Sequence, residues 1–408
     1  MEVQLERCAG LDLGKKEVVA CARIQRGRKV KRHVETFGTS TSELLRLSTW
    51  LQKHRCTHVL MEATGVYWEP LWHVLEGTLE VVVANAAHVK AVPGRKSDVS
   101  DAQWLADLLA HGLLRASFVP PPAIQQLRDL TRTRKQLVGE KTRHVQRIHK
   151  VLDRVNIKLG TVLTDIMGLS GRSIIEALVA GESDPEQLLR FVDPRVQADR
   201  DAIREALRGR MTDHHRFLLK MHMEHVRQLD DDIAKLEREV ATQLEPFRQQ
   251  VDRLTTIPGV DLVAAYVILA EIGLDMSRFP TAEHLVSWAG LCPRTDKSAG
   301  KTKSRRIRKG NPWLKTALIQ AARAGSRTRR SYLRAQYFRL AGRIGGNKAI
   351  IAVAASILTA VWHMLRTDSE WKDLGPDYFD RRDPTKAARR LMRRLEALGF
   401  SVELKGAA

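Results

Sequence analysis

The sequence predicts an α/β domain at the N-terminus followed by an all-α remainder. Two observations carry this. As far as about Asn85, short β-rich runs alternate with helical patterns, and beyond Pro122 apolar residues recur at helical or heptad spacing in a basic background. At 408 residues the chain is long enough for two or three domains, each with its own core.

Cys8 to Leu13, Glu17 to Ile24, Lys31 to Phe37, His58 to Met61 and Leu79 to Ala84 read as strands. Ser42 to His54 and Val66 to Leu75 read as the helices between the last three. The turn Asp12-Leu13-Gly14-Lys15-Lys16 joins the first two strands tightly enough for a hairpin. Asp98 to His111 is a further helix, with Ser97 placed to cap it, and Pro120, Pro121 and Pro122 form a boundary.

Past the prolines, Leu127, Leu130, Leu137, Val145, Ile148, Leu152 and Val155 fall near heptad positions. A second long helix carries Leu219, Val226, Leu229, Ile233, Leu236, Val240 and Leu244. The two suit either an antiparallel coiled-coil hairpin or a dimerisation element, with a less regular segment, Gly160 to Arg210, between them. From Leu254 to about Thr367 the chain reads as basic and helical. Ala349 to Leu365 is slightly short for a membrane span and is interrupted by Ser356, Thr359 and His363, so it reads as a buried helix. Pro384 to Leu398 is an Arg-rich amphipathic helix in a short tail. The expected divisions are 1–118 (α/β), 119–250 (helical, coiled coil), 251–370 (helical) and 371–408 (basic tail).

Charge selects the class of partner. Lys and Arg number 68 against 47 Asp and Glu, a formal net charge of +21, and such a surface attracts polyanions. Cys8, Cys21, Cys56 and Cys292 show no CxxC pair and no metal-ligand spacing, which fits a reducing cytosol rather than a disulfide framework or zinc ribbon. Met1 to Gly10 lacks an apolar run of secretory type.

Four carboxylates stand out. Asp12 ends the first strand, Glu62 closes the fourth, and Asp98 and Asp101 sit three apart at a helix start, pointing to one face. Singly each has a structural explanation, Asp101 as a first-turn acid favoured by the helix dipole and Glu62 as a strand end. Crowded together they would repel one another unless multivalent cations compensated them. Magnesium is the expected compensation, and two such ions roughly 4 Å apart serve phosphoryl transfer.

Downstream, Ala289 to Lys301 leads into a run in which Lys297, Lys301, Lys303, Arg305, Arg306, Arg308 and Lys309 surround Ser298, with Ser304 nearby. A serine needs a base, a metal or positive potential to attack a phosphodiester, and this setting supplies the potential. Gly300 allows close approach of a phosphate. Read alone, a serine in this setting is more often a turn residue or a phosphate hydrogen-bond donor than a nucleophile. Thr256-Ile257-Pro258-Gly259-Val260 with the helix after it looks like a helix-hairpin-helix whose amides near Gly259 would hold DNA phosphate; a plain packing corner is the alternative. Aromatic residues are only 5% of the chain, so stacking of bases on a sheet is not an obvious mode of recognition.

The order and spacing of the carboxylates resemble the RNase H-like, RuvC-type fold. More closely, GLDLGKKEVVAC, MEATGVYWEPL and GRKSDVSDAQWLADLLAHG resemble the DEDD transposases of insertion sequences, the bridge-RNA-guided recombinases. The resemblance covers nearly the whole chain and is strongest in Ala9 to Gly112 and Leu254 to Ala322. It implies that Asp12, Glu62, Asp98 and Asp101 bind magnesium and that Ser298 is the nucleophile; the family's more common Ser-Gly is here Ser298-Ala299-Gly300, which keeps Ser304 in view. It further implies donor and target DNA as substrates, a structured guide RNA as partner, and a homo-oligomer, dimer or tetramer, in which the serine of one protomer works with the acidic site of another. A cytoplasmic, nucleoid-associated protein is expected. The rivals are a RuvC-like nuclease or junction resolvase that uses water, and a non-catalytic scaffold or repressor.

Overall fold

A computed structural model describes residues 3–403 except 64, 86–88, 90–100, 115, 294–295, 299–300 and 305; of 296–298 and 301–303 it describes the backbone alone. The chain divides into two compact units, Met1–Pro120 and Pro121–Ala408.

The first unit is built on a five-stranded mixed sheet in the order β3-β2-β1-β4-β5. Its strands are β1 (Arg7–Leu13), β2 (Glu17–Arg26), β3 (Lys29–Gly38), β4 (His58–Glu62) and β5 (Glu80–Ala84). The first three form an antiparallel meander, whereas β4 runs parallel to β1 and β5 parallel to β4. Period-two alternation gives each inner strand two buried faces. Ala9, Leu11, Val59 and Met61 pack with Leu44, Leu47 and Leu51 of α1 (Thr41–Lys53) and with Leu71 and Leu75 of α2 (Trp68–Leu75). Cys8, Leu60 and Ala84 pack on the opposite face with Leu105, Leu108 and Leu109 of α3 (Asp101–Ala110). β3 lies at an edge and is mostly exposed, with Lys29, Lys31 and Arg32 guarding it against pairing with another chain.

Gly10 sets how closely α3 approaches. A Cβ there would sit 2.2 Å from the Ala102 carbonyl oxygen and 2.4 Å from the Ala106 nitrogen, so only glycine lets the helix rest on β1 at this depth. An ion pair fixes the helix from the side: buried Arg23 on β2 donates to Asp107 at 2.8 Å, and Arg32 on β3 reaches the same carboxylate at 3.0 Å. The thiols of Cys8, Cys21 and Cys56 are buried in the sheet's cores. Burial pushes Cys8 up to about 12 and Cys21 and Cys56 up to about 11.

In the second unit two long helices, α4 (Pro122–Arg154) and α7 (Asp213–Leu244), run antiparallel. Arg134 pairs with Glu237 at 2.5 Å, Lys141 pairs with Asp230, and His144 meets His222 with Nδ1 atoms 3.3 Å apart; partner numbers fall on one helix as they rise on the other. Within one chain, therefore, the antiparallel pairing left open by the sequence is the one formed. The ends of the pair enter different cores. Ile148, Leu152, Leu219 and Val226 join a core with Ile174, Ile175 and Leu178 of α5 (Leu169–Ala180) and Ile203 of α6 (Arg200–Ala206). The irregular segment Gly160 to Arg210 thus supplies a folded helical cap.

Leu127, Val240 and Leu244 join the other core. This contains α8 (Arg248–Thr255), α9 (Leu262–Ile272), α10 (Ala282–Trp288), α11 (Pro312–Gly325), α12 (Tyr332–Ile344) and α13 (Gly346–Thr367). α13 is long and apolar enough to cross a membrane, yet Val353, Ala354, Ile357, Leu358 and Val361 are fully buried in this core, as expected of an internal helix. In the tail, α14 (Pro384–Ala397) starts at Asp383, whose carboxylate accepts from the Lys386 amide.

One departure from the sequence reading stands out. The C-terminal region is not helical throughout, because β6 (Asp296–Ser298) and β7 (Lys301–Ser304) form a two-stranded hairpin within it. A strand of three or four residues is too short to show a periodicity of its own. The two-residue spacer containing Gly300 is the hairpin signal that the helical background conceals.

Candidate active site

Strand register decides where the first carboxylates go. In the parallel pair β1–β4, Leu11 is the partner of Met61, and Asp12 and Glu62 are the next residue on each strand. Paired residues of neighbouring strands point to the same face, with backbones about 4.8 Å apart. Leu11 and Met61 belong to the α1/α2 core, so Asp12 and Glu62 leave on the other face, the one covered by α3. Glu62 is half-buried and Asp12 exposed, at the ends of strands whose preceding residues are fully buried.

Asp101 is the first residue of α3, directly before Ala102, which packs against Gly10. The helix therefore begins beside the strand end that carries Asp12. Asp98, and Ser97 with it, lie outside the described residues, so the predicted helix from Asp98 is described only from Asp101 onward. Among the described residues no group of three or more metal-binding side chains is assembled closely enough to share an ion. The donors that register brings side by side are carboxylate oxygens, the hard ligands suited to magnesium rather than zinc.

The basic loop is built from its base upward. Gly290 and Gly310 pass each other backbone to backbone: a Cβ on Gly290 would lie 2.8 Å from the Arg308 carbonyl oxygen, and one on Gly310 would lie 2.3 Å from that of Ala289. Both have positive φ, 72° and 52°, the left-handed region that favours glycine. Above this crossing, Pro293 bridges to Ile307, and β6 then pairs with β7. Ser298 is the partner of Lys301 at the end of the ladder, with only Ala299 and Gly300 between them. The nucleophile candidate thus stands at the tip of a finger. Ser304 lies at the other end of β7, where its Oγ accepts the Arg306 amide at 3.2 Å.

Arg306, Arg308 and Lys309 are exposed on the returning arm. The side chains of Lys297, Ser298, Lys301 and Lys303, and all of Arg305, lie outside the described residues. The end of the arm is tied down. Lys315 on α11 donates to the carbonyls of Arg308 and Lys309 at 2.7 and 2.5 Å, and Asn311 caps α11 by accepting the amides of Trp313 and Leu314.

Sequence reasoning missed the residue that anchors this arrangement. Glu271 on α9 is fully buried, and its two oxygens accept from Arg132 at 2.8 Å each; Arg128 lies 3.6 Å away, and Asn311 Nδ2 donates at 2.7 Å. Burial holds Arg128 down, to about 10, even beside this carboxylate. A glutamate in an apolar helical stretch, LVAAYVILAEI, was the available signal. Gly259 occupies the turn between α8 and α9 at φ 88°, where a Cβ would strike the Ala321 carbonyl oxygen at 2.3 Å, a close approach that fits the packing-corner reading of this motif.

The fold and site therefore define a basic protein with two parts, a sheet with carboxylates at its parallel strand ends and a helical unit that presents a cationic serine hairpin. The comparisons with known proteins agree. A family model described as "Transposase", of the DEDD type, matches residues 9–157, and one described as "Transposase IS116/IS110/IS902 family" matches residues 251–338. The chain belongs to the DEDD-type insertion-sequence transposases. It is 43% identical over 70 residues to an "Insertion element IS110 uncharacterized 43.6 kDa protein" of Streptomyces coelicolor, covering 17% of each chain. It is 23% identical over 273 residues to a "Pilin gene-inverting protein" of Moraxella bovis, covering 64% of this chain and 66% of that one. The chain thus matches less than two thirds of the length of either relative. The sheet order is compatible with an RNase H-like fold.

Proposed function

We propose that this protein is the transposase of an insertion sequence and that it cuts and rejoins DNA through a magnesium-dependent acidic site on an RNase H-like, RuvC-type domain and a serine nucleophile. The observation that carries the reading is the register that sets Asp12 beside Glu62 on the α3 face. Two carboxylates on adjacent strand ends repel unless a cation lies between them, and Asp101, with Asp98, would complete the ligand set. Bound magnesium would supply Lewis acidity at the scissile phosphate.

The protein's own groups then do the following. Ser298 Oγ forms a bond to phosphorus while the bond from phosphorus to one deoxyribose oxygen breaks; the serine proton is lost to a nearby base, and the departing oxygen takes one up. The phosphoserine diester keeps a phosphodiester's bond energy, so a hydroxyl of another strand reverses the step and joins new ends without ATP. Lys297, Lys301, Lys303 and Arg305 would hold the strand at the tip, and Arg306, Arg308 and Lys309 would track its backbone along the arm. Ser304, already engaged in a local turn, is the weaker candidate. A structured guide RNA would choose donor and target, and the serine of one protomer would serve the acidic site of another in a dimer or tetramer.

The test is a denaturant-resistant protein–DNA adduct formed with cognate DNA and guide RNA. Wild-type protein should form it, and Ser298→Ala and Asp12→Ala should not. An adduct that persists in Ser298→Ala but vanishes in Ser304→Ala reassigns the nucleophile; cleaved ends without any adduct point to a nuclease that uses water.

A further inference from the structure

A groove of about 600 Å³ opens between α4, α9 and α11, and among the described residues its lining on α11 begins at Pro312. Its floor includes small residues, Gly259, Ala264, Ala317 and Ala321. Trp313 stands half-buried on one wall, with the Arg132 guanidinium 5.7 Å from its ring centroid. The groove is therefore largely apolar inside, with an aromatic side chain on one wall.

Its rims differ in chemistry. Along α4, Arg132, Arg134 and Lys135 follow one another. Arg132 pairs with Glu271 and Arg134 with Glu237, whereas exposed Lys135 forms no ion pair with any described residue. Along the other side lie exposed Thr316 and Gln320 of α11 and the Asp261 carboxylate, which already caps α9 by accepting the Ala264 amide. One rim thus offers a free cation to an anion, and the other offers donors and acceptors to a planar polar edge.

We propose that this groove holds one unpaired base of a single-stranded nucleic acid, with the base against Trp313 and the alanine floor, its edge toward Gln320 and Asp261, and its phosphate toward Lys135. Charge complementarity selects this occupant. A neutral apolar ligand would leave the α4 cation unused, and duplex nucleic acid has no base free to enter. The proposal rests on the nucleic-acid reading above and adds where a displaced or looped-out nucleotide is held. The pocket is sequence-tolerant, because every base has a π-face and only the rim reads its edge.

The experiment measures the affinity of the full-length protein for a single-stranded oligonucleotide, the same strand carrying abasic sites, and the duplex. It compares wild type with Thr316→Leu/Ala324→Leu, which fills the groove from exposed positions, and with Lys135→Ala, an exposed change that does not threaten folding. Filling the groove should weaken single-strand binding about tenfold, the scale of losing one stacked base, while leaving duplex affinity and the melting temperature unchanged. Wild type should bind the abasic strand as weakly as the filled variant binds the intact one, and Lys135→Ala should weaken intact and abasic strands alike. Deoxyribose and ribose versions of the oligonucleotide identify which strand the groove prefers. Unchanged single-strand affinity in the filled variant and in Lys135→Ala, with duplex binding intact, overturns the groove proposal alone; wild-type protein that binds neither single strand nor duplex overturns the nucleic-acid reading with it.

Discussion

The acidic face and the serine finger solve the same problem, holding a chemical group in a fixed position, by different means. Asp12 and Glu62 sit at the ends of paired strands, so register alone sets them side by side and the layer beneath them is fully buried. Ser298 stands on a short hairpin whose position depends on what grips its base: the Gly290–Gly310 crossing, the Lys315 hydrogen bonds and the buried Glu271 cluster. A site carried on regular elements inherits its rigidity from the sheet. A site carried on a loop needs dedicated anchors, and these are where its stability is most exposed to mutation.

The largest effect is expected at the anchor. Glu271→Ala leaves Arg128 and Arg132 without their buried partner and frees the Asn311 cap, so it should destabilise the second unit by about 3–5 kcal/mol, measured by urea denaturation. Gly10→Ala drives a Cβ into the α3 backbone and should cost about 1–3 kcal/mol or more, with loss confined to the first unit. The two substitutions therefore separate the units: if both melted the same transition, the contrast between sheet-borne and loop-borne sites would fail.

Gly290→Ala, with a Cβ 2.8 Å from the Arg308 oxygen at a positive φ, should cost on the order of 1–3 kcal/mol. It should weaken adduct formation more than it lowers global stability, because it loosens only the base of the finger. Equal effects on both would place the strain in the core instead.

The smallest expected effect is a dependence on pH. Burial, with repulsion from His225 and Arg147, holds His144 below the ordinary imidazole range, and burial with repulsion from His144, Arg147 and His225 does the same for His222. Arg143 adds to the repulsion on His144 and Glu140 opposes it. The unfolded chain therefore takes up protons first. Stability is complete above about pH 6.5, the unfolded value, and falls as pH drops below it. Thermal melts from pH 7.5 to 5 should show this decline in wild type and a shallower one in His144→Gln; parallel profiles would remove the imidazole cluster as its cause.

The same contrast explains how much was legible. The five strands of the first sheet, α1, α2 and the long helices were readable because apolar residues recur at a period of two or of 3.6, and each boundary of those five strands came within two residues of the structure. Asp12 and Glu62 were readable as strand ends, and parallel pairing then accounts for their shared face. The β6–β7 hairpin was not, since its strands are too short for periodicity. Nor were Arg23–Asp107 and the Glu271 cluster, because an ion pair between residues 84 or 139 positions apart leaves no local pattern in the sequence.

The most direct test of the central claim is strand cleavage of cognate DNA measured across a magnesium series for wild type, Asp12→Asn and Glu62→Gln, with thermal melts to verify folding. Wild type should be inactive without the ion and activate steeply as it is added. Each variant should lose on the order of a hundredfold or more at every concentration while remaining folded, the scale of removing one preorganised electrostatic group. Cleavage by wild type in chelator, or by either variant at the wild-type rate, would contradict the account.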